Sequence, residues 1–226
     1  MKKLYLLVCT CLLAGACSDL LEEEIPRTRS DPRFYYFYYP NLSEDKIQIV
    51  EGAADYFFQE YAGFAAQELL FALYAVQVTV EEDPSLNDPG AYLDKKIRIK
   101  DVYSLAQTGN NRVLQEEIFH FYQDFFYPHG INQYLHVGRV NIEFEAKFYV
   151  DFLEIIEVGD GFGATMTVSM DYCDEYIEIL QARSLTHYLR NYDRMISWFT
   201  SAHPDYWSPQ TSAIRLEAFS NATCYY

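Results

Sequence analysis

Positive charge is scarce in this chain. In 226 residues, 17 Lys and Arg stand against 33 Asp and Glu, a formal charge of −16. Binding to nucleic acid needs a basic patch to meet phosphate, so this balance argues against that class of partner. Long apolar runs are also missing after the first residues. The longest, Leu69 to Val76, is far too short to cross a hydrocarbon core of ~30 Å as a helix. There is no internal repeat and no low-complexity tract. HExxH, GxSxG, the phosphate-binding P-loop and the dinucleotide fingerprint are all absent, and with them any motif-level sign of the chemistries they serve. What the chain has in quantity is apolar and aromatic surface. Half its residues are hydrophobic, with 21 Tyr, 16 Phe and 2 Trp, which excludes an intrinsically disordered chain.

The N-terminus carries the clearest signal. Lys2 and Lys3 precede an apolar stretch from Leu4 to Ala16, broken only by Thr10. Thirteen residues of this kind read as a secretory signal rather than a membrane span. The stretch ends Leu13-Ala14-Gly15-Ala16-Cys17, which resembles the lipobox of bacterial lipoproteins, with Ala14 where Leu is commoner. The resemblance implies that residues 1–16 are removed and that Cys17 is acylated as the new N-terminus. Several acyl chains at ~0.8 kcal/mol per buried methylene hold a protein stably at a membrane. Residues 17–32 then form an acidic tether, with Asp19 and Glu22-Glu23-Glu24 followed by Pro26 and Pro32. It is similar to the stretch that accompanies export to the outer face of the outer membrane in lipoproteins of Bacteroidota; an ordinary polar tether is the alternative. Stretched, it reaches at most ~50 Å.

Cysteine usage agrees with an address outside the reducing cytosol. Cys9 and Cys11 leave with the signal and Cys17 carries lipid, so Cys173 and Cys224 remain. They could pair, and a closed loop of about 52 residues would contribute ~4 kcal/mol in the chain-entropy model. Two separate buried thiols are the other reading.

Residues 33–226 read as one domain. Phe34 to Tyr39 are six aromatics in a row, expected as a strand buried on both faces. Ile47, Val50, Ala54, Phe57 and Tyr61 step by three and four, the period of a helix, with a break expected near Gly63. Val76, Val78 and Val80 alternate, a loop follows to Gly90, and Ile97 and Ile99 mark a strand. Leu114, Ile118, Phe121 and Tyr122 return to helical spacing. Val140, Ile142, Phe144, Ala146, Phe148, Val150 and Phe152 then occupy every second position, which predicts a half-buried strand. With a turn at Gly159 to Gly163, and Met166, Val168, Met170 and Tyr172 alternating behind it, a long central hairpin is expected. Leu185 to Phe199 reads as an amphipathic helix capped by Ser184, and Ile214 to Ala218 as a last strand. The sum is an α+β fold, with helices packed on a mostly antiparallel, twisted sheet.

Candidate sites follow from this frame. The loop of Trp198, His203, Asp205, Tyr206 and Trp207 sets aromatic rings beside polar groups, a pattern that suits stacking on sugar or peptide. Glu143, Glu145, Lys147 and Asp151 share one face of the predicted strand, expected to be solvated. His120, His129 and His136 lie close in sequence but not at zinc-site spacings. Asp83, Ser85, Asn87 and Asp94 follow a calcium-loop spacing, yet Asp88 stands where that loop needs glycine. No catalytic residue, metal or cofactor is therefore assigned. The expected protein is a non-enzymatic cell-envelope lipoprotein of the outer membrane, a binding or assembly module. Its partners would be the membrane through its lipid, and envelope proteins or a small ligand such as a saccharide. The rival is an envelope hydrolase of glycan or peptide using carboxylates such as Glu143, Glu145 or Asp205.

Overall fold

The computed structural model describes residues 35–61, 66–107, 111–157 and 167–223. The signal peptide, Cys17, the acidic tether, the break near Gly63, the Gly159 to Gly163 turn and Cys224 lie outside them. Seven α-helices appear among the described residues: α1 (Glu44–Tyr61), α2 (Gln67–Ala75), α3 (Asn111–Phe126), α4 (Arg139–Glu157), α5 (Cys173–Gln181), α6 (Leu185–Ala202) and α7 (Glu217–Thr223). Three short strands, β1 (Thr79–Glu82), β2 (Gly90–Leu93) and β3 (Lys96–Ile99), form one small sheet in the order β1-β3-β2. None of the described helices is long and apolar enough to cross a membrane.

The expected α+β sheet fold is thus corrected to a helical one, and the largest correction is α4. The stretch expected as the central strand, Val140 to Phe152, is a helix packed against α3, α5, α6 and α7. Enclosure on nearly every side erases the polar face by which a helix usually shows itself. Val140, Phe144, Phe148, Tyr149 and Leu153 are buried, and so are the polar residues between them, Asn141, Glu145 and Asp151. Each of these three has partners, as burial requires. Asn141 donates through Nδ2 to Tyr192 Oη at 2.7 Å and to the Ile214 carbonyl at 3.1 Å, and its Oδ1 accepts from Thr211 N at 3.0 Å.

Other strand expectations fall with it. Ser169 leads into a single 3-10 turn, Met170–Tyr172, that feeds α5, and Met170 is exposed. Ile214 and Leu216 are buried, but the Ile214 carbonyl is held by the Tyr192 hydroxyl at 2.9 Å instead of a strand neighbour. Leu216 has φ 67°, and α7 begins at the next residue. The described part of the aromatic run contributes one bridge, Tyr38 to Thr79. Its neighbours are pinned to α1 by buried Glu51, which accepts from Tyr36 N at 3.0 Å and from the Tyr39 hydroxyl.

The elements with clear period form as expected. Val50, Ala54 and Phe57 are buried on α1, and Leu114, Ile118, Phe121 and Tyr122 on α3. Ser184 Oγ accepts from His187 N at 3.4 Å at the start of α6, whose inner face buries Tyr188, Tyr192, Met195 and Phe199. β2 and β3 join through Asp94 and Lys95, both with positive φ, the conformation of a two-residue type I′ hairpin turn. Cys173 is a free, buried thiol at the start of α5.

The core is knitted by rings. Phe119 stacks on Tyr149 at 4.2 Å, joining α3 to α4, while Phe219 meets Phe148 at 4.9 Å and Phe152 at 5.1 Å, locking α7 against α4. Pairs of this kind contribute about 0.5–1.5 kcal/mol beyond area burial. They fix α3 beside α4 and so set the floor of the site.

Candidate functional site

α3 and α4 run antiparallel with a polar seam between them. Residues four apart lie on one face of a helix, so Arg112, Glu116 and His120 line one side and Asp151, Lys147 and Glu143 the other. Opposite signs meet at each rung. Arg112 binds Asp151, Lys147 Nζ lies 2.6 Å from Glu116 Oε1, and His120 Nε2 lies 3.5 Å from Glu143 Oε2. Arg139, one turn before Glu143, adds Nε at 3.7 Å from Glu143 Oε1. The seam opens into a cavity of about 540 Å3, roofed by β2 and closed by Tyr134 and Tyr206. That volume is in the range of small-molecule sites.

Behind the seam a buried relay orients His120. Gln123 Nε2 donates to Glu145 Oε2 at 2.9 Å and to the Ile142 carbonyl at 3.1 Å. Its amide oxygen therefore faces His120 Nδ1, 2.9 Å away, and accepts from it. Glu145 also accepts from the Tyr127 hydroxyl at 2.8 Å and from Phe219 N at 3.0 Å. The chain Glu145–Gln123–His120 turns Nε2 of the imidazole toward Glu143 and the cavity.

Burial and charge set the protonation states. Desolvation disfavours the imidazolium of His120, but Glu143, with Glu117 and Glu116 behind it, outweighs this and lifts the pKa to about 9. Burial likewise works against the Glu143 carboxylate, yet His120, Lys147 and Arg139 hold it below the usual range. Glu117 goes the other way: burial pushes its pKa up, assisted by Glu116 and Glu143 and opposed by His120 and Lys147. Glu117 lines the same cavity, and its Oε2 is buried with no hydrogen-bond partner among the described residues. A protonated or metal-seeking carboxyl is what such an environment favours.

Of the aromatic-loop residues, the structure brings His203 and Tyr206 to the cavity. Tyr206 stacks parallel to Phe199, under Arg139 at 5.2 Å and Lys147 at 5.8 Å. Trp198 points elsewhere, stacked on Tyr172 at 5.2 Å, and Asp205 and Trp207 are exposed. Glu143 and Lys147 line the cavity, whereas Glu145 and Asp151 are buried behind it, so the expectation of one solvated carboxylate face is corrected. His129 and His136 are exposed and take no part in the cluster around His120. Asp83 accepts from Ser85 N at 3.1 Å and Oγ at 2.6 Å in a local turn, while Asp94 accepts from Asn132 across the fold, so both acidic residues are engaged with protein partners. Sequence reasoning missed Glu116, Glu117 and Arg112. Arg112 and Glu116 stand in four-residue register with His120, matched by Glu143, Lys147 and Asp151, and that register is the signal that finds them; Glu117 lies one residue outside it.

No family model, curated protein or solved structure matches the chain.

Proposed function

We propose that this chain is a cell-envelope lipoprotein, anchored by acylated Cys17, whose helical domain captures a small polar ligand in the cavity between α3 and α4. The carrying observation is that cavity, where His120, Glu143, Arg139 and Lys147 converge beside Tyr206. Charged and hydroxyl groups would hydrogen-bond a hydroxyl-rich solute such as a saccharide, and the ring of Tyr206 offers it a stacking face. The anchor would keep the domain outside the cytosol, at the outer membrane, where such solutes arrive. Thermal unfolding of the full chain in detergent, scanned against neutral and acidic saccharides, tests this. Ligand at a hundred times Kd should add about 2.7 kcal/mol, and Tyr206→Ala should remove the effect. Unfolding temperatures that no saccharide moves would contradict it. Replacing Cys17 by Ser should send the protein to the soluble fraction.

One observation favours a second reading, a hydrolase of glycan or peptide. Glu117 is a buried carboxyl with a raised pKa beside ionised Glu143, a division of labour that suits general acid and base. Of the carboxylates first considered for this role, only Glu143 lies in the cavity. Turnover of a chromogenic glycoside or peptide, abolished by Glu117→Gln, would favour this reading over capture.

A further inference from the structure

We infer that Glu116, His120 and Glu143 form a binding site for one divalent transition-metal ion of the zinc class in the wall of the cavity. One ligand atom from each lies within 4.8 Å of the others. Metal–ligand bonds of about 2.0–2.2 Å in a tetrahedron set ligand atoms about 3.3–3.6 Å apart. His120 Nε2 and Glu143 Oε2, at 3.5 Å, already stand at that spacing, and Glu116 is one helical turn from His120 on the same face. Imidazole with two carboxylates is a donor set that suits zinc and its first-row neighbours, and two carboxylates neutralise a divalent charge.

Two further observations point to a ligand rather than to a charge ladder alone. First, His120 is prepared as metal-bound histidines are: its far nitrogen donates to a fixed acceptor, here Gln123 Oε1, leaving Nε2 aimed at the carboxylates. Gln123 is itself held by Glu145 and the Ile142 carbonyl, so its amide cannot turn over without losing both bonds. Second, Glu117 is 94 % buried in the same cavity, one residue along from Glu116, with Oε2 unpartnered among the described residues. The ion pairs of the ladder leave that atom unexplained, whereas a divalent cation in the same wall gives the buried carboxyl a charge to face. Lys147, on Glu116 Oε1 at 2.6 Å, must yield or share that oxygen; its long stem and the second oxygen of Glu116 allow either.

The inference goes beyond capture of an organic solute, and its test needs no such solute. The full chain, purified in detergent and stripped with a chelator, is titrated with zinc chloride in a calorimeter at neutral pH. One saturable equivalent per chain is expected. Glu143→Gln and Glu116→Gln should each weaken binding at least tenfold; both side chains are partly exposed, and a second measurement, the urea midpoint of each variant, verifies that it is folded when titrated. The double variant His129→Ala, His136→Ala, which removes the exposed histidines nearby, should bind as the parent does. Cobalt in place of zinc should give the visible bands of a low-coordinate nitrogen–oxygen site. Absence of saturable binding, full affinity in both Gln variants, or loss in the surface double variant would overturn the assignment. A chain that binds zinc but no saccharide sinks only the proposed ligand, and the reverse sinks only the metal.

Discussion

Glu145 is the most exacting place to test the packing around the site. It is buried, has no ion-pair partner among the described residues, and holds α3, α4 and α7 together through Gln123, Tyr127 and Phe219. Burial, the dominant cause, lifts its pKa from an ordinary 4.5 to about 7 against the pull of those three donors. The folded state therefore keeps a proton that the unfolded chain has already lost. The associated stability is complete below about pH 4.5 and disappears as the pH rises through about 7. At about 1.4 kcal/mol per pKa unit, wild type should lose roughly 2–3 kcal/mol from this group between pH 5 and pH 8. Glu145→Gln cannot titrate and removes that slope, while the other ionisable groups cancel when the two proteins are compared. Urea unfolding followed by circular dichroism at pH 5, 6, 7 and 8 reads the difference directly. The advantage of wild type over the variant should shrink by that amount as the pH rises. A gap that stays level, or widens, would show that the Glu145 carboxyl is not held in a dry, uncompensated setting.

Three other substitutions probe separate supports. Arg112→Ala leaves fully buried Asp151 with the Tyr176 hydroxyl at 3.0 Å, and breaking a buried pair should cost about 3–5 kcal/mol near neutral pH in urea unfolding. Burial raises the Asp151 pKa to about 6 even with Arg112 present, so the cost should fall at pH 5, where the lone carboxyl can take a proton. Gly90→Ala places a Cβ 2.7 Å from Val113 Cγ1 and 2.8 Å from Glu117 Oε1; overpacking of this kind should cost about 1–3 kcal/mol and displace Glu117, seen as a lower unfolding midpoint. Ser184→Ala removes the α6 cap, but its bond is long at 3.4 Å, so a loss of only about 0.5 kcal/mol is expected.

How legible the molecule is from its sequence depends on where polar residues go. α1 and α6 show a helical stripe because one side meets solvent, and Ser184 marks the α6 cap plainly. α3 is nearly as enclosed as α4, with Phe125 its one exposed residue, but Leu114, Ile118, Phe121 and Tyr122 still fall at helical steps. α4 does not, since its polar residues are internal: Asn141 serves Tyr192 and Thr211, Glu145 serves Phe219, and Asp151 meets Arg112. Removed from the outer face by partners distant in sequence, they fall between large apolar residues and imitate a strand. Val140, Ile142 and Val150 reinforce the imitation, being β-branched, and packing overrides that preference. The helical period is present in the less buried residues, Arg139, Glu143, Lys147 and Glu154, and it runs in four- and seven-residue steps. The site was hidden for the same reason. His203 and Tyr206 could be picked from a loop where rings sit beside polar groups. Glu116, Glu117 and Arg112 acquire meaning only once α4 is a helix facing them.

The cavity exists only if residues 139–157 are helical, because a strand could not set Glu143, Lys147 and Asp151 in step against His120, Glu116 and Arg112. Backbone Cα chemical shifts across that segment in the full chain measure this most directly. Shifts displaced continuously to the helical side of random coil from Arg139 to Glu157 are the result expected here. Shifts on the strand side over Val140 to Phe152 would dismantle the seam, the cavity and the metal site together.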